Sequence, residues 1–360
     1  MGLPIIADLK LWYLWHSERG TLPDEVSGMN LREVYKHLGF PVWDPLGVWK
    51  RETTRIRMED KKTSEERIVV YTDTQTRAEF TAKWSVGPDG DLWQTEYPVK
   101  KAEELCLFEA LVKDEEIHLD DAQLSAAVDM FLHEGIGAIE LPLSPFPRLL
   151  LEMLGFTQGF MVLVENQDGV EGMIHKAREH YCIGVKKILD KIEKMIASKA
   201  PARAGENNNP FFAVLPDNID ASFITPPYFE AYMADVYKNT ASLTKKAGLD
   251  LMVHTGGPVA MLLEQIKDAG IHCLAGVSGP PQSDASLKEA REKVGPDMKL
   301  WGGIPQDCLI RTVSEQKFLS ALEQAKAEAD DKCIIGIADH VPVEASWERL
   351  KQTAAFFRDA

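Results

Sequence analysis

The run Asp250-Leu251-Met252-Val253-His254-Thr255-Gly256-Gly257 closes an apolar segment on a histidine and a pair of glycines. An imidazole titrates near neutral pH, so a histidine placed there can move a proton, polarise a leaving heteroatom or ligate a metal. The glycines behind it let a bound group approach the backbone and leave the ring unobstructed. Other polar residues end apolar runs in the same way: His16, the tetrapeptide Asp217-Asn218-Ile219-Asp220, and Ala338-Asp339-His340. His254, Asp339 and His340 are the candidate catalytic residues. Asp339 and His340 could supply a metal ligand or an acid/base pair; adjacent strand residues face opposite ways, so both enter one pocket only where the chain has already turned. Asn218 and Asp220 are two apart and would point to the same side of an extended chain, toward a substrate. Alternatively they form an Asx turn and helix cap before Pro226. Glu140 is a further substrate-site candidate, either a buried acid or an ordinary strand-end carboxylate. Trp12, Trp15, Trp43, Trp49, Trp84, Trp93 and Trp301 read mostly as core or insert packing, with one or two of them, Trp12 and Trp301 chosen first, lining a pocket for a flat substrate.

For such ends to meet, the runs that carry them must be parallel strands of one sheet. An apolar run, a small polar turn and a helical stretch recur at residues 250–257, 271–277, 300–304 and 333–339. Repeated βα units with buried strands imply a parallel sheet whose site lies at the strands' carboxyl ends. Residues 9–16, rich in aromatic and branched side chains, read as a first buried strand that ends on His16. A helix is expected over 31–38, capped by Asn30 and stopped by Gly39. From residue 43 to 100 the texture changes to short, partly alternating runs at Ile68-Val69-Val70-Tyr71, residues 77–84 and residues 92–97, with turn signals such as Gly87-Pro88-Asp89-Gly90 between them. That pattern predicts a small antiparallel sheet over residues 45–100, inserted in a single α/β barrel spanning 1–360. A helix over 120–134 stopped by Gly135, a strand over 138–143 containing Glu140, one or two helices over 168–200, a loop over 200–210, a strand over 211–215 and a helix starting near Pro226 complete the reading.

The 360 residues are 45% apolar and carry a net charge of −16, enough chain for one large α/β barrel or two modest domains. The acidic balance argues against a sequence-independent grip on nucleic acid or on an anionic membrane, since both need basic surface. The 5 cysteines are scattered without a CxxC pair and read as reduced core thiols of a cytoplasmic protein. No apolar run approaches the roughly 18 residues of a membrane span, and Met1-Gly2-Leu3-Pro4 has no basic region ahead of its short apolar stretch, so a soluble, unprocessed chain is expected. There is no G-x-G-x-x-G after a strand, no P-loop, no G-x-S-x-G elbow and no HExxH, which disfavours nicotinamide, nucleotide, serine-hydrolase and zincin chemistry.

Several stretches together resemble the uroporphyrinogen decarboxylase superfamily, which also holds the methyltransferases that pass methyl groups to or from corrinoid proteins. They are Asp217-Asn218-Ile219-Asp220 with Pro226-Pro227-Tyr228-Phe229, residues 247–257, Asp268-Ala269-Gly270, residues 284–295 and Leu300-Trp301-Gly302-Gly303-Ile304-Pro305. The resemblance implies a TIM-like (βα)8 barrel. The decarboxylases carry two arginines in an early R-Q-A-G-R-Y-L-P motif; the corresponding stretch here looks like His16-Ser17-Glu18-Arg19-Gly20-Thr21-Leu22-Pro23, with His16 and Gly20 at the arginine positions. Without that pair the charge-assisted grip on a polycarboxylate is lost. Corrinoid-linked relatives hold zinc through an H-x-C motif and a later cysteine. His254 matches the histidine, Gly256 stands at the first cysteine and Ala338 or Asp339 at the second. Ether-cleaving relatives place two glutamates ahead of the same histidine, at positions that fall on Asn218 and Met233 here. Both known zinc patterns are therefore broken, and an oxygen and nitrogen set built on His254 and Asp339, with His340 or Asp220, suits zinc or no metal.

The layout is closest to the ether-cleaving methyltransferases. The expected function is demethylation of a small methoxylated or methylated compound with transfer of the methyl group to a corrinoid on a separate protein, with His254 binding a metal or polarising the leaving heteroatom. Two rivals remain: a metal-free decarboxylase-like lyase using His16 and Asp220, and a non-catalytic protein that binds a tetrapyrrole or corrinoid partner.

Overall fold

Runs such as Leu251-Met252-Val253 and Ile334-Ile335 are apolar on both faces, which in a strand means cover on both faces. The computed structural model describes residues 5–87, 92–134, 136–199 and 211–358. Its strands are β1 (Ile5–Asp8), β2 (Trp49–Glu52), β3 (Ile56–Lys62), β4 (Glu66–Asp73), β5 (Glu79–Val86), β6 (Leu92–Glu96), β7 (Glu116–Leu119), β8 (Gly137–Glu140), β9 (Phe211–Ile219), β10 (Asp250–Thr255), β11 (Cys273–Val277), β12 (Lys299–Ile304) and β13 (Cys333–His340). Those that end in the polar clusters belong to one 7-stranded sheet, ordered β1-β13-β12-β11-β10-β9-β8, and each neighbouring pair is parallel. Helices return the chain between strands and pack on the sheet, Ala234–Lys246 against β10 and Glu315–Glu328 against β12. The fold is mixed α/β, and its 7 strands stand where a (βα)8 pattern has eight.

The two edges of this sheet are drawn toward each other by one phenol. Beyond β8, Leu46 forms an isolated parallel bridge to Ile139. The fully buried Tyr35 places its hydroxyl 2.8 Å from the carbonyl of Trp43 and 2.9 Å from that of Ala7, and accepts the Leu9 amide at 3.0 Å. Tyr35 is held there by its helix, Leu31–Leu38, which begins with a reciprocal capping box between Asn30 and Glu33 and ends at Gly39 with φ 80°. Asn30 and Gly39 thus play the roles their residue types suggest.

Outside the main sheet, β3-β4-β5-β6 form an antiparallel sheet and β2 pairs antiparallel with β7. The strands expected near 68, 77–84 and 92–97 are present as β4, β5 and β6. β3 went unread because its sequence, Ile-Arg-Met-Glu-Asp-Lys-Lys, is that of an edge strand exposed after Ile56. The two-helix alternative for 168–200 gives way to a single helix of 33 residues, Gln167–Lys199. Residues 88–90 of the expected turn, Gly135 and the expected loop 200–210 lie outside the described residues.

Residues 9–16 are not a strand. The first strand is the shorter β1, and Lys10–Arg19 is a helix closed by Gly20 at φ 63°. Leu9 and Trp12 are buried while Leu14 is 45% exposed, a spacing of three that suits a helix; in a strand Leu14 would share the side of Trp12. Aromatic content suggested β structure, and tertiary burial decided otherwise. The expectation of core thiols holds for Cys273, Cys308 and Cys333, whereas Cys106 is exposed and Cys182 half-buried; all are free. No single described helix is long and apolar enough to cross a membrane.

Asp217 fastens β9 to its surroundings. Its carboxylate accepts hydrogen bonds from the Ser144 amide at 2.8 Å, from the Ser144 hydroxyl and from the Tyr237 hydroxyl at 2.8 Å, and burial pushes its pKa up to about 6.

Tyr35→Phe keeps the ring and removes the hydroxyl, leaving the Leu9 amide and one carbonyl buried without that partner. A loss of about 1–3 kcal/mol in urea unfolding is expected; an unchanged midpoint would show that the phenol does not hold the sheet edges.

Candidate functional site

Strand parity builds the site. On β9, Val214, Pro216 and Asn218 line a cavity, while Leu215, Asp217 and Ile219 are buried away from it. On β10 the lining residues are Met252 and His254, again two apart. β11 adds Ala275, β12 adds Trp301, and β13 adds its polar end. The cavity holds about 740 Å³, open mouth included, at the carboxyl ends of the parallel strands. That is where a site in such a sheet is expected.

Both Asp339 and His340 line it. Simple alternation forbids this, and the register shows how it happens: Ile6 pairs with Gly336, yet Asp8 pairs with His340, so the ladder between β1 and β13 is irregular at this point. Asp8 enters the cavity beside them.

Asp339 is the hub of the polar groups. Its Oδ1 accepts the His340 amide at 2.8 Å and lies 3.3 Å from His340 Nδ1 and 3.7 Å from His254 Nε2. Burial pushes the Asp339 carboxyl upward, but the His340 hydrogen bond and the histidine charges prevail and hold it at about 2. His254 moves the other way: burial lowers its pKa below the ordinary value, with Asp339 opposing and His340 reinforcing. At neutral pH the pair is thus a carboxylate beside a neutral imidazole. Burial raises the pKa of Asp8, with the Lys10 amide hydrogen bond and the charges of His340 and Lys10 only partly offsetting it. Lys10 itself is paired with Asp44 at 2.9 Å.

Of the other candidates, Trp301 and Asn218 line the cavity and Trp12, His16, Glu140 and Asp220 do not. His16 sits near the end of a helix, with Nδ1 2.7 Å from the Thr21 hydroxyl and Nε2 2.9 Å from the Val343 carbonyl. Trp12 stacks on Trp347 in the core and donates to the Ala345 carbonyl at 3.3 Å. Glu140 is half-buried on β8, its carbonyl accepting from the Trp49 indole at 2.7 Å and its carboxyl raised by burial against the charges of Lys10 and Arg51. Asp220 is the Asx turn: Oδ1 accepts the Ser222 amide at 2.7 Å, and its carbonyl accepts from Phe223 and Ile224.

Two cavity residues are not singled out by the sequence. Asp8 ends a strand of 4 residues, too short for periodicity to reveal. Trp43 lies in an irregular stretch, and its ring meets that of Trp301 at 4.5 Å and 82°, forming an aromatic wall.

Glycines make room for two of these side chains. A Cβ on Gly256 would fall 2.2 Å from Asn218 Oδ1, so Asn218, itself at φ 47°, occupies the space that a residue at 256 would need. A Cβ on Gly336 would lie 2.4 Å from the Trp301 indole nitrogen, which is buried with no hydrogen-bond partner, and 2.2 Å from the Ile6 carbonyl.

Among the described residues, no three His, Cys, Asp or Glu side chains are grouped to hold a metal ion. His254 and His340 both turn toward the same oxygen of Asp339, not with it toward a shared centre. As placed, these donors do not fit a zinc set, and no chemical step below runs through one.

No family model matches the chain, and no curated protein matches it. A solved methyltransferase from Methanosarcina mazei is similar, with TM-score 0.52 and 16% identity over 77% of this chain and 74% of that one. A protein described as a vitamin-B12-independent methionine synthase from Listeria monocytogenes gives TM-score 0.39 and 13% identity over 66% of this chain and 69% of that one. D-psicose 3-epimerase from Clostridium cellulolyticum H10 gives 0.34 and 10% over 67% and 92%. The first likeness shows a methyltransferase-like fold and the fold alone; the other two carry no argument.

Two outcomes follow from this geometry. Followed by NMR, the His254 ring should titrate below its ordinary value of 6.5, and Asp339→Asn should lower it further, because the carboxylate favours the imidazolium. As pH falls below about 6.5 the unfolded chain takes up that proton first, so this histidine subtracts stability there. A ring that titrates above 6.5 would contradict the burial argument. Elemental analysis of the purified protein should find no stoichiometric zinc; zinc present in the wild type and lost in His254→Ala would overturn the metal-free arrangement.

Proposed function

We propose that the chain is the substrate-binding methyltransferase of a corrinoid-dependent system, a uroporphyrinogen decarboxylase-like (βα)8 barrel that takes a methyl group from a small methylated compound and passes it to a corrinoid on a separate protein. The observation that carries this reading is the make-up of the cavity wall. Among the described lining residues there is no thiol, hydroxyl or amine, so the wall offers no serine, cysteine or lysine nucleophile for an acyl, thioester or Schiff-base intermediate. On this reading the methyl group goes to an acceptor that enters through the open mouth. The fold likeness to a methyltransferase supports the same reading.

In methyl transfer the carbon–heteroatom bond breaks with its electron pair left on the heteroatom, while the carbon takes the pair offered by the acceptor. A Co(I) corrinoid supplies such a pair when bound. The chain's part is to hold the methyl-bearing heteroatom in line and to keep water away. His254 faces the bound methylated group. Its 3.7 Å separation from Asp339 is too long for a direct hydrogen bond and leaves room for a ligand atom to engage the ring. Asp339, held by the His340 amide, sets the charge beside the ring, and Asn218, braced over Gly256, closes the side of the pocket. The substrate's remaining contacts are with Trp43 and Trp301.

The test is methyl transfer to free cob(I)alamin from a panel of O-, N- and S-methyl compounds, read by the loss of Co(I) absorbance. His254→Ala should lose about 100-fold or more of the rate while its circular dichroism is unchanged, the size expected when positioning at the reacting atom is lost. Retained turnover would remove His254 from the mechanism. Carbon dioxide release in place of methyl transfer would replace the reading with that of a lyase, and saturable binding without turnover with that of a binding protein.

A further inference from the structure

The charges around the cavity are lopsided. Its described wall contains two carboxylates, Asp8 and Asp339, and no lysine or arginine. The near cation, Lys10, lies outside the wall and is engaged with Asp44 at 2.9 Å. His254 and His340 are the remaining titratable groups on the wall. The same wall carries the perpendicular indoles of Trp43 and Trp301, 3% and 6% exposed. An indole face beside carboxylates, in a pocket shielded from water, attracts an organic cation through the ring quadrupole and through charge, and repels an anion.

Building on the methyltransferase reading, we infer that the substrate is a small organic cation that carries its methyl groups on a positively charged nitrogen or sulfur, seated between the Trp43–Trp301 wall and the carboxylates of Asp8 and Asp339. The cavity, about 740 Å³ with its open mouth included, admits such a head group with the tail toward solvent. A carboxylate that burial makes costly to ionise, as at Asp8, is relieved by a cation that arrives with the ligand. The leaving group agrees with this assignment. A methyl group on oxygen leaves behind an oxyanion that needs a proton, and His254, kept largely neutral by burial, has only the weakly acidic N–H of a neutral imidazole to offer. A methyl group on a charged nitrogen or sulfur leaves behind a neutral amine or sulfide that needs no proton.

The test is isothermal titration of the full-length protein with choline and with 3,3-dimethyl-1-butanol, its neutral isostere, which differ in a single charge. Choline should bind at least about tenfold more tightly. Asp8→Asn, confirmed as folded by circular dichroism, should erase about tenfold of choline affinity and leave the isostere's affinity in place, and Trp43→Leu, likewise folded, should weaken choline more than the isostere. Equal binding of the two compounds, or no binding of choline or tetramethylammonium, overturns the inference. Cation binding without transfer to cob(I)alamin upholds the inference and sinks the transferase reading. Transfer from a neutral methoxy compound with no preference for cations does the reverse.

Discussion

A strand buried on both faces sends alternate side chains to opposite sides, so a shift of a single residue in any strand would exchange the cavity wall for the helix-facing layer. On β9 this parity separates two acidic or amide neighbours completely: Asn218 faces the cavity and Asp217 the protein interior behind it. Asp217 resists such a shift because its carboxylate is tied to Ser144 and Tyr237, and Pro216 in its place would offer neither partner a side-chain acceptor. On β10 the same rule aims His254 inward along with Met252. The position of every polar group in the site thus rests on strand register, and register rests on hydrogen bonds made behind the sheet. The exception is β13, where the irregular pairing with β1 allows Asp339 and His340 in together.

That exception sets the electrostatics. Trp301 faces the cavity and pairs with Ile334, so regular alternation along β13 would aim His340 inward and Asp339 away from it. With the irregularity, the acid is flanked by an imidazole on its own strand and another across the sheet, and these outweigh the desolvation that would otherwise raise it. Asp8, on the neighbouring strand, has weaker help and stays on the raised side. Two carboxylates in one pocket are therefore pushed apart in acidity by what touches them, a division that commonly marks functional sites.

Much of this architecture is legible in the amino-acid order. The apolar runs of β10, β12 and β13 announce buried parallel strands, and the chain's polar ends at His254 and Asp339-His340 mark where their tips converge. Asn30 and Gly39 announce the limits of a helix. Other features depend on partners remote in sequence. Residues 10–19 carry the aromatic content of a strand, and it takes the burial of Leu9 and Trp12 with the exposure of Leu14 to make them helical. Asp8 belongs to the site through its pairing with His340, and Trp43 through its contact with Trp301; local pattern holds neither fact. Asp220 shows the converse. Its spacing from Asn218 was right for a shared face, yet the chain turns after β9 and the carboxylate closes its own turn at Ser222.

The space beside His254 ties the resemblance to the chemistry. Gly256 has no side chain, and Asn218 fills the volume so closely that a Cβ at 256 would collide with its amide oxygen. A thiol at 256 would require Asn218 to leave, so the bare backbone and the amide form one arrangement. The wall is left with carboxylates, imidazoles and indoles as its main recognition groups. Thiolate coordination favours zinc, which activates a bound heteroatom by withdrawing electron density from it. A wall of carboxylates and aromatic faces stabilises a heteroatom that already bears positive charge. For the methyl transfer proposed, an acidic aromatic pocket suits a substrate whose leaving group departs neutral.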